Sequence, residues 1–416
     1  MSNNHLEFEI KSKSKNITYF KVKSGQSLYI YDNRLYIPLE MLSKEWLKKN
    51  NSDKIGESEK YKKKKKKEED ENYKSYFKEP TGLVNINGIC YMNAVLQCFY
   101  YCKPLTDYFL NVDKDKRNTF GPVSNGYYNF VHKLNKGDSY AATEFKQAMI
   151  NVDNTFIGGG GKDSKDVAIL ILSELHEELK ENEKTILSLN ENVDEHNKLQ
   201  VFQEQIKLEK INSNNTIISD IFNFLLICEQ KCNNCNNNTY CSYKDTVFSI
   251  ETDNIIIFEL EKICNELGKT YFPDISLEEC LIHYIMPETN DCPNCKQKKT
   301  MKITKKFCRL PKIFIFVLSR GINAKFKCNI RFTSQLNFSK YYDSIEETNK
   351  THNFNYDLIG ATFAYDWSEG NGHTVAFCKS NSNYPHYYVF NDSRVRNTDI
   401  NEINGKVPYL LFYERK

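Results

Sequence analysis

Residues 81–101 read TGLVNINGICYMNAVLQCFYY, a turn at Gly88-Ile89 that runs straight into a helical pattern at Cys90. Behind the cysteine the apolar side chains recur at helical spacing, so Cys90 reads as the first residue of an amphipathic helix. That position suits an ordinary buried thiol. It also suits a nucleophile, because the positive end of the helix dipole favours a thiolate. With 14 cysteines among 416 residues, the residue type alone does not choose between the two.

The chain is long enough for one large or two medium domains with a sizeable core, and 40% hydrophobic with 13% aromatic residues suits a folded protein. Lys and Arg number 57 against 54 Asp and Glu, a balance that gives no support to nucleic acid as a partner. The opening MSNNHLEFEIK carries no apolar signal-peptide core, and runs such as Ile313 to Leu318 fall far short of the roughly 20 residues of a membrane helix. The expectation is an intracellular protein, cytoplasmic or nuclear, with no membrane partner. Its cysteines are then expected to be reduced: core residues, metal ligands or nucleophiles, not a disulfide framework.

Along the chain, residues 1–49 read as an N-terminal extension with a few short strands and a helical MLSKEWLKK. Residues 50–80 hold almost no aliphatic side chains and include the lysine run 62–67. Such a segment buries too little apolar surface to order itself and reads as a charged linker, with a nuclear address as the other reading of the lysines. Dense patterning starts at Thr81. Residues 90–190 read mainly helical and roughly 183–216 as a helix plus loop. From about 219 strands dominate, in FSIET, IIIFELEK, KIFIFVLS, YDLIGATFAY, HTVAFCKS, YYVFND and YLLFYE. Helices first and strands later point to an α+β domain.

Two C-x-x-C pairs carry the first chemical signal, Cys232 with Cys235 and Cys292 with Cys295. Two intervening residues let a tight turn aim both thiolates at one tetrahedral ion, so the four together fit a structural Zn²⁺. A set of four thiolates closes the coordination shell and leaves no open position for chemistry. The second signal is NGHTVAF, in which His373 opens a strand after a glycine-rich loop, followed by YYVFNDSRV, in which Asn391 and Asp392 end another. Taken singly, His373 reads as a structural histidine and the Asn-Asp pair as a turn. Adjacent antiparallel strands would bring Asn391 to His373 and leave the other ring nitrogen facing across a cleft. With Cys90 added, the chain holds a thiol, a base and a group to orient that base, in the order Cys, His, Asn. Asn85 adds a side-chain amide to the backbone N–H groups of the helix start, a fitting set of oxyanion donors.

GLVNINGICYMNAVLQ resembles the cysteine box of the ubiquitin-specific proteases, usually GLxNxGNTCYMNSxLQ. YDLIGATFAYDWSEGNGHTVAF with YYVFNDSRV is similar to the family's histidine box. IFNFLLICEQKCNNC and SLEECLIHYIMPETNDCPNCKQKKTMKITKKFCRLPKIFIFVLSR resemble its zinc-bearing fingers, so the likeness spans about 82–415. The resemblance implies a papain-like fold: a helical thumb over about 82–215, fingers over about 219–305 and an antiparallel palm over about 306–416. It implies a deubiquitinating thiol protease acting on ubiquitin and ubiquitinated proteins through a thioester, with one structural Zn²⁺ and no catalytic cofactor. Cys90 would be the nucleophile, His373 the base and then acid, Asn391 the third member, Asp392 a helper and Asn85 the oxyanion amide.

GGGGKDSKDVAILILSELHEEL resembles the family's QQDAHEFLxxLLDxLHEEL, whose carboxylates fall on Asp163 and Asp166 and receive the arginine-containing tail of ubiquitin. A solvated helix N-terminus is the other reading of these two. The chain also departs from the family pattern. Asn87-Gly88-Ile89 stands where Gly-Asn-Thr is usual, Gly161 and Lys162 replace glutamines, Thr374 a tyrosine, Ala364 a histidine and Gly321 an aromatic after Arg320. These changes bear on efficiency and on preference for ubiquitin more than on fold. They leave two alternatives, a ubiquitin-binding scaffold of impaired activity and a protease of a ubiquitin-like modifier.

Overall fold

A computed structural model describes residues 8–13, 17–22, 27–31, 34–36, 80–138, 140–157, 163–180, 202–204, 206, 216–251, 274–319, 329–343, 353–365, 373–380, 386–404 and 408–416. Two units emerge, Met1–Phe77 and Lys78–Lys416. In the first, β1 (Phe8–Lys13), β2 (Ile17–Val22), β3 (Ser27–Tyr31) and β4 (Arg34–Tyr36) form an antiparallel meander in chain order. The expected helix MLSKEWLKK, residues 50–79 of the linker and most of 183–216 lie outside the described residues.

The second unit opens with β5 (Leu83–Val84), α1 (Cys90–Tyr100), α2 (Lys103–Asn111), α3 (Lys114–Asn118) and α4 (Pro122–Lys136). Then come β6 (Tyr140–Ala141), α5 (Thr143–Val152), α6 (Ser164–Glu178) and α7 (Ile217–Phe222). Ten of the eleven residues of α1 are buried, so this helix is surrounded on all sides. The LHEEL end of α6 has a structural use: Glu178 accepts from the N–H groups of Val123 (3.0 Å) and Ser124 (2.6 Å) and caps the start of α4.

The chain continues as β7 (Phe224–Cys232), β8 (Asn238–Asp245), β9 (Val247–Glu251), β10 (Asp274–Ser276), α8 (Leu277–Ile285), β11 (Glu288–Asn290) and β12 (Met301–Arg309). The order β11-β12-β7-β8 makes one antiparallel sheet, the fingers. β9 falls inside the interval read as fingers, yet it pairs in parallel with β13 (Ile313–Ser319) of another sheet. The fingers are thus an excursion from which the chain returns to the palm.

That palm sheet is completed by β15 (Gln335–Asn337), which follows β14 (Asn329–Arg331), and by β16 (Asn355–Tyr365), β17 (His373–Lys379), β18 (Tyr387–Asn391), β19 (Arg394–Thr398) and, after α9 (Ile400–Asn404), β20 (Pro408–Arg415). Its strand order is β19-β18-β17-β16-β20-β13-β9, with β15 on β16. The IFIFVL run of β13 is apolar at every position because both faces are covered. Ile313, Ile315 and Val317 join the core with α1, while Phe314, Phe316 and Leu318 pack with Leu277 and Leu281 of α8 on the other face. The helical layer carrying Cys90 therefore lies directly on the sheet carrying His373. No helix among the described residues is long and apolar enough to cross a membrane.

Candidate active site and metal centre

Two successive residues before α1 take left-handed backbone, Asn87 (φ 57°) and Gly88 (φ 73°). Glycine and asparagine enter that region at least cost, so exchanging their order preserves the turn. Asn85 braces it: its Oδ1 accepts from the N–H of Ile89 at 2.9 Å. Cys90 then starts α1 with only 7% of its surface exposed. The backbone N–H of Thr374, the residue after His373, lies near enough to its sulfur to favour the thiolate, as do the N–H groups at its own helix start. The two ends of the domain meet at this atom.

Across the cleft, β17 and β18 are neighbours, and Nε2 of His373 lies 2.7 Å from Oδ1 of Asn391. An amide oxygen only accepts, so Nε2 carries the proton of the neutral ring and Nδ1 keeps the lone pair. Burial pushes the Cys90 thiol above its ordinary pKa of 9.0, and the nearby Asp392 carboxylate adds to this; the N–H of Thr374 pulls the other way. A His373→Ala variant has no imidazole base to take the thiol proton, and the net rise remains. Alkylation of Cys90 by iodoacetamide should then be slow at neutral pH and climb only above pH 9.0. A midpoint at or below the ordinary thiol value would contradict this balance of effects.

Asp392 sits at the centre of the contacts between thumb and palm. It occupies left-handed backbone (φ 53°) in the tight turn from β18 to β19. Its Oδ2 accepts from Asn85 Nδ2 at 2.9 Å and its Oδ1 from Asn93 Nδ2 at 2.8 Å. Oδ2 also lies 3.9 Å from His373 Nε2, and the backbone carbonyl accepts from Leu83 N–H at 3.0 Å. The approach is so close that a side chain at Gly82 would come within 2.4 Å of that carbonyl oxygen. The Asn85 amide therefore spends one hydrogen on Asp392 and retains a second. Asn93, 2% exposed, and Gln97, 1% exposed, were not singled out in the sequence; Gln97 Nε2 donates to the Thr81 carbonyl at 2.9 Å. Their signal was present as two amides four residues apart on an otherwise apolar helix.

Asp163 and Asp166 stand apart from this cluster. Asp163 caps α6 through the N–H of Lys165 (2.8 Å) and accepts from the hydroxyl of Tyr409 at 2.6 Å. Asp166 is exposed in the first turn of the same helix, with Lys165 Nζ 3.6 Å away. Gly161, Lys162, Arg320 and Gly321 lie outside the described residues.

In the fingers, the β7–β8 turn carries Cys232 and Cys235, and the segment between β11 and β12 carries Cys292 and Cys295. All four sulfurs lie within 4.8 Å of one another. Cys232 to Cys295 is 3.7 Å and Cys235 to Cys292 is 3.8 Å. A tetrahedron with metal–sulfur bonds of about 2.3 Å has edges of about 3.8 Å, so the four cysteines fit a metal of zinc's size and preference. Left-handed residues follow each pair, at Asn236 and Lys296. The Thr300 side chain, with the N–H of Cys235, lowers the Cys232 thiol, while burial and the neighbouring Cys232 and Cys295 raise that of Cys292. The twelve described cysteines are all free of disulfides.

Comparison with known proteins gives the family and the fold. The family model "Ubiquitin carboxyl-terminal hydrolase" matches residues 81–413. Ubiquitin carboxyl-terminal hydrolase 2 of Rattus norvegicus is 24% identical over 357 residues, covering 80% of this chain and 53% of its own length. The probable ubiquitin carboxyl-terminal hydrolase 4 of Schizosaccharomyces pombe is 25% identical over 379 residues, covering 83% and 60%. The chain thus spans a little over half the length of these relatives. The SAGA Ubp8/Sgf11/Sus1/Sgf73 DUB module bound to ubiquitin aldehyde contains a chain of the same fold, at TM-score 0.58 and 17% identity over 96% of this chain and 81% of that one. A thiol-bearing helix laid on a histidine-bearing sheet, four clustered finger cysteines and a family match across the second unit lead to one conclusion: this chain belongs to the ubiquitin carboxyl-terminal hydrolase family of ubiquitin-specific proteases.

Proposed function

We propose that the chain is a deubiquitinating thiol protease that cleaves the peptide or isopeptide bond after the C-terminal glycine of ubiquitin. The observation that carries the reading is the His373–Asn391 hydrogen bond of 2.7 Å, with the N–H of the adjacent Thr374 near enough to the Cys90 sulfur to favour its thiolate. With Nε2 protonated against Asn391, Nδ1 is the basic nitrogen and takes the proton of Cys90. The thiolate attacks the carbonyl carbon of the terminal glycine. The developing oxyanion is met by N–H groups at the start of α1 and by the second hydrogen of the Asn85 amide. Collapse expels the amine, which takes the proton back from Nδ1 and leaves a thioester on Cys90. A water then gives a proton to Nδ1, attacks the thioester and releases ubiquitin with a free carboxylate. Asparagine at position 391 adds no charge, so it orients the ring and leaves Asp392 as the anion nearest the imidazolium.

Asp166, exposed on α6, and Asp163 beside it would receive the guanidinium of the ubiquitin tail, a pairing that geometry and charge both favour. The four finger cysteines would hold one Zn²⁺ as a closed structural site, and the fingers would cradle the body of ubiquitin. Chelation should therefore open the fingers and raise KM by more than it lowers kcat, with the alkylation rate of Cys90 unchanged. Equal losses in substrate binding and thiol reactivity would refute that division.

A scaffold that binds ubiquitin without turnover is the reading favoured by the nearly buried Cys90 and its raised pKa. Fluorogenic C-terminal amides of ubiquitin and of ubiquitin-like modifiers, assayed in parallel, separate the cases. Turnover of the ubiquitin amide supports the protease. Tight binding without turnover means a scaffold, and turnover confined to another modifier changes the substrate.

A further inference from the structure

Among the described residues outside the active site and the metal centre, two pairs of thiols lie close together. Cys98 and Cys378 meet in the core between α1 and β17, both fully buried, where no solvent oxidant reaches them. Cys228 and Cys241 differ. They are direct register partners across the antiparallel β7–β8 hairpin, with Cys241 exposed and Cys228 partly so. The Cys241 sulfur lies 3.7 Å from the Cys228 carbonyl oxygen, and the two thiols are close enough to raise the pKa of Cys228. Directly opposed antiparallel residues have Cα atoms roughly 4.5–5.5 Å apart, inside the roughly 4.4–6.8 Å that a disulfide spans. The bond therefore needs side-chain rotation and little backbone movement.

We propose that Cys228 and Cys241 form a reversible cross-strand disulfide under hydroperoxide, locking the β7–β8 hairpin of the fingers. Cys241, the accessible thiol, is oxidised first. Its thiolate attacks the peroxide oxygen, giving a sulfenic acid and, from hydrogen peroxide, one water once the leaving hydroxide takes up the thiol proton. The Cys228 thiolate then attacks the sulfenic sulfur. The S–S bond forms as the S–O bond breaks, and hydroxide leaves and takes up the Cys228 proton as a second water. Lys305 faces Cys228 from β12 and, with Gln230, favours that thiolate against the burial that disfavours it. Both cysteines lie on strands adjoining the first metal knuckle, with Cys228 four residues before Cys232. The bond would tie the two strands just where they leave that knuckle.

The test uses the full chain loaded with zinc, treated with hydrogen peroxide, alkylated and digested with trypsin. Cys228 falls in the tryptic peptide 211–231 and Cys241 in 232–244, so the disulfide joins two peptides that otherwise separate. The expected result is that joined pair as the main oxidised product, absent in Cys228→Ser and Cys241→Ser and released by dithiothreitol. Amide hydrogen exchange along β7 and β8 should slow by about tenfold or more on oxidation. Alkylation of both thiols after peroxide, a joined pair that persists in Cys241→Ser, or unchanged exchange would each overturn the proposal.

Discussion

Replacing Cys90 by alanine should abolish hydrolysis of a ubiquitin C-terminal amide, by roughly 10⁴-fold or more, while leaving ubiquitin affinity within a few-fold of the parent. The size of the effect follows from what the residue does. Removing the nucleophile leaves the oxyanion donors and the substrate contacts in place, and with them only the modest acceleration that positioning supplies. The side chain is small and its neighbours on α1 pack independently of the sulfur, so the variant should unfold within about 1 kcal/mol of the parent. Kinetics and calorimetric titration with free ubiquitin, run on the same preparation, check both halves. Residual turnover above one per cent would point to another nucleophile, and loss of binding would mean that Cys90 holds the cleft together.

The second large effect is expected at Asp392. Its carboxylate accepts from Asn85 and Asn93 at 2.9 and 2.8 Å, and both donors belong to the segment that presents Cys90. In Asp392→Ala, the buried Asn93 amide loses its closer acceptor and keeps only the Val84 carbonyl at 3.5 Å, which costs about 1–3 kcal/mol. Alanine at φ 53° adds about 1–2 kcal/mol more. A loss of about 2–5 kcal/mol in urea unfolding should therefore accompany a fall of about 100-fold in kcat, as Asn85 and His373 lose their common anchor. Asp392→Asn tolerates the left-handed backbone and keeps one acceptor, so it should recover most of the stability but less of the rate. If Asp392→Ala left both stability and kcat untouched, the anchoring role would be wrong.

What could be read from the sequence was what local geometry determines. Two residues between cysteines define a knuckle wherever it lies, and the sulfurs of Cys232, Cys235, Cys292 and Cys295 do converge. His373 and Asn391 lie on consecutive strands, so their meeting needed only a hairpin pairing. The run KIFIFVLS reads as a strand, and the structure shows why β13 is apolar throughout: both of its faces are covered. The order Asn87-Gly88 looked like a departure, and the structure explains it: both positions need left-handed backbone, which either residue tolerates.

The rest depends on contacts between distant parts of the chain. Asn93 meets Asp392 across 299 residues, and no periodicity encodes that pairing. Thr374 acts on the Cys90 thiol through a backbone N–H, which leaves no trace in residue type. Asp163 is held by Tyr409 from the last strand, a bond visible only once the helical layer is laid on the sheet. β9 reads as part of the fingers by position and belongs to the palm by pairing, because parallel partners need not be near in sequence.

The central claim is that the Cys90 sulfur is the atom that attacks the ubiquitin terminus. Ubiquitin carrying a thiol-reactive electrophile in place of its last glycine, incubated with the intact chain and mapped by peptide mass spectrometry, tests it most directly. One covalent adduct on Cys90, lost on prior alkylation of that residue, is the predicted result. An adduct on any of the other thirteen cysteines, or none at all despite tight binding, would contradict it.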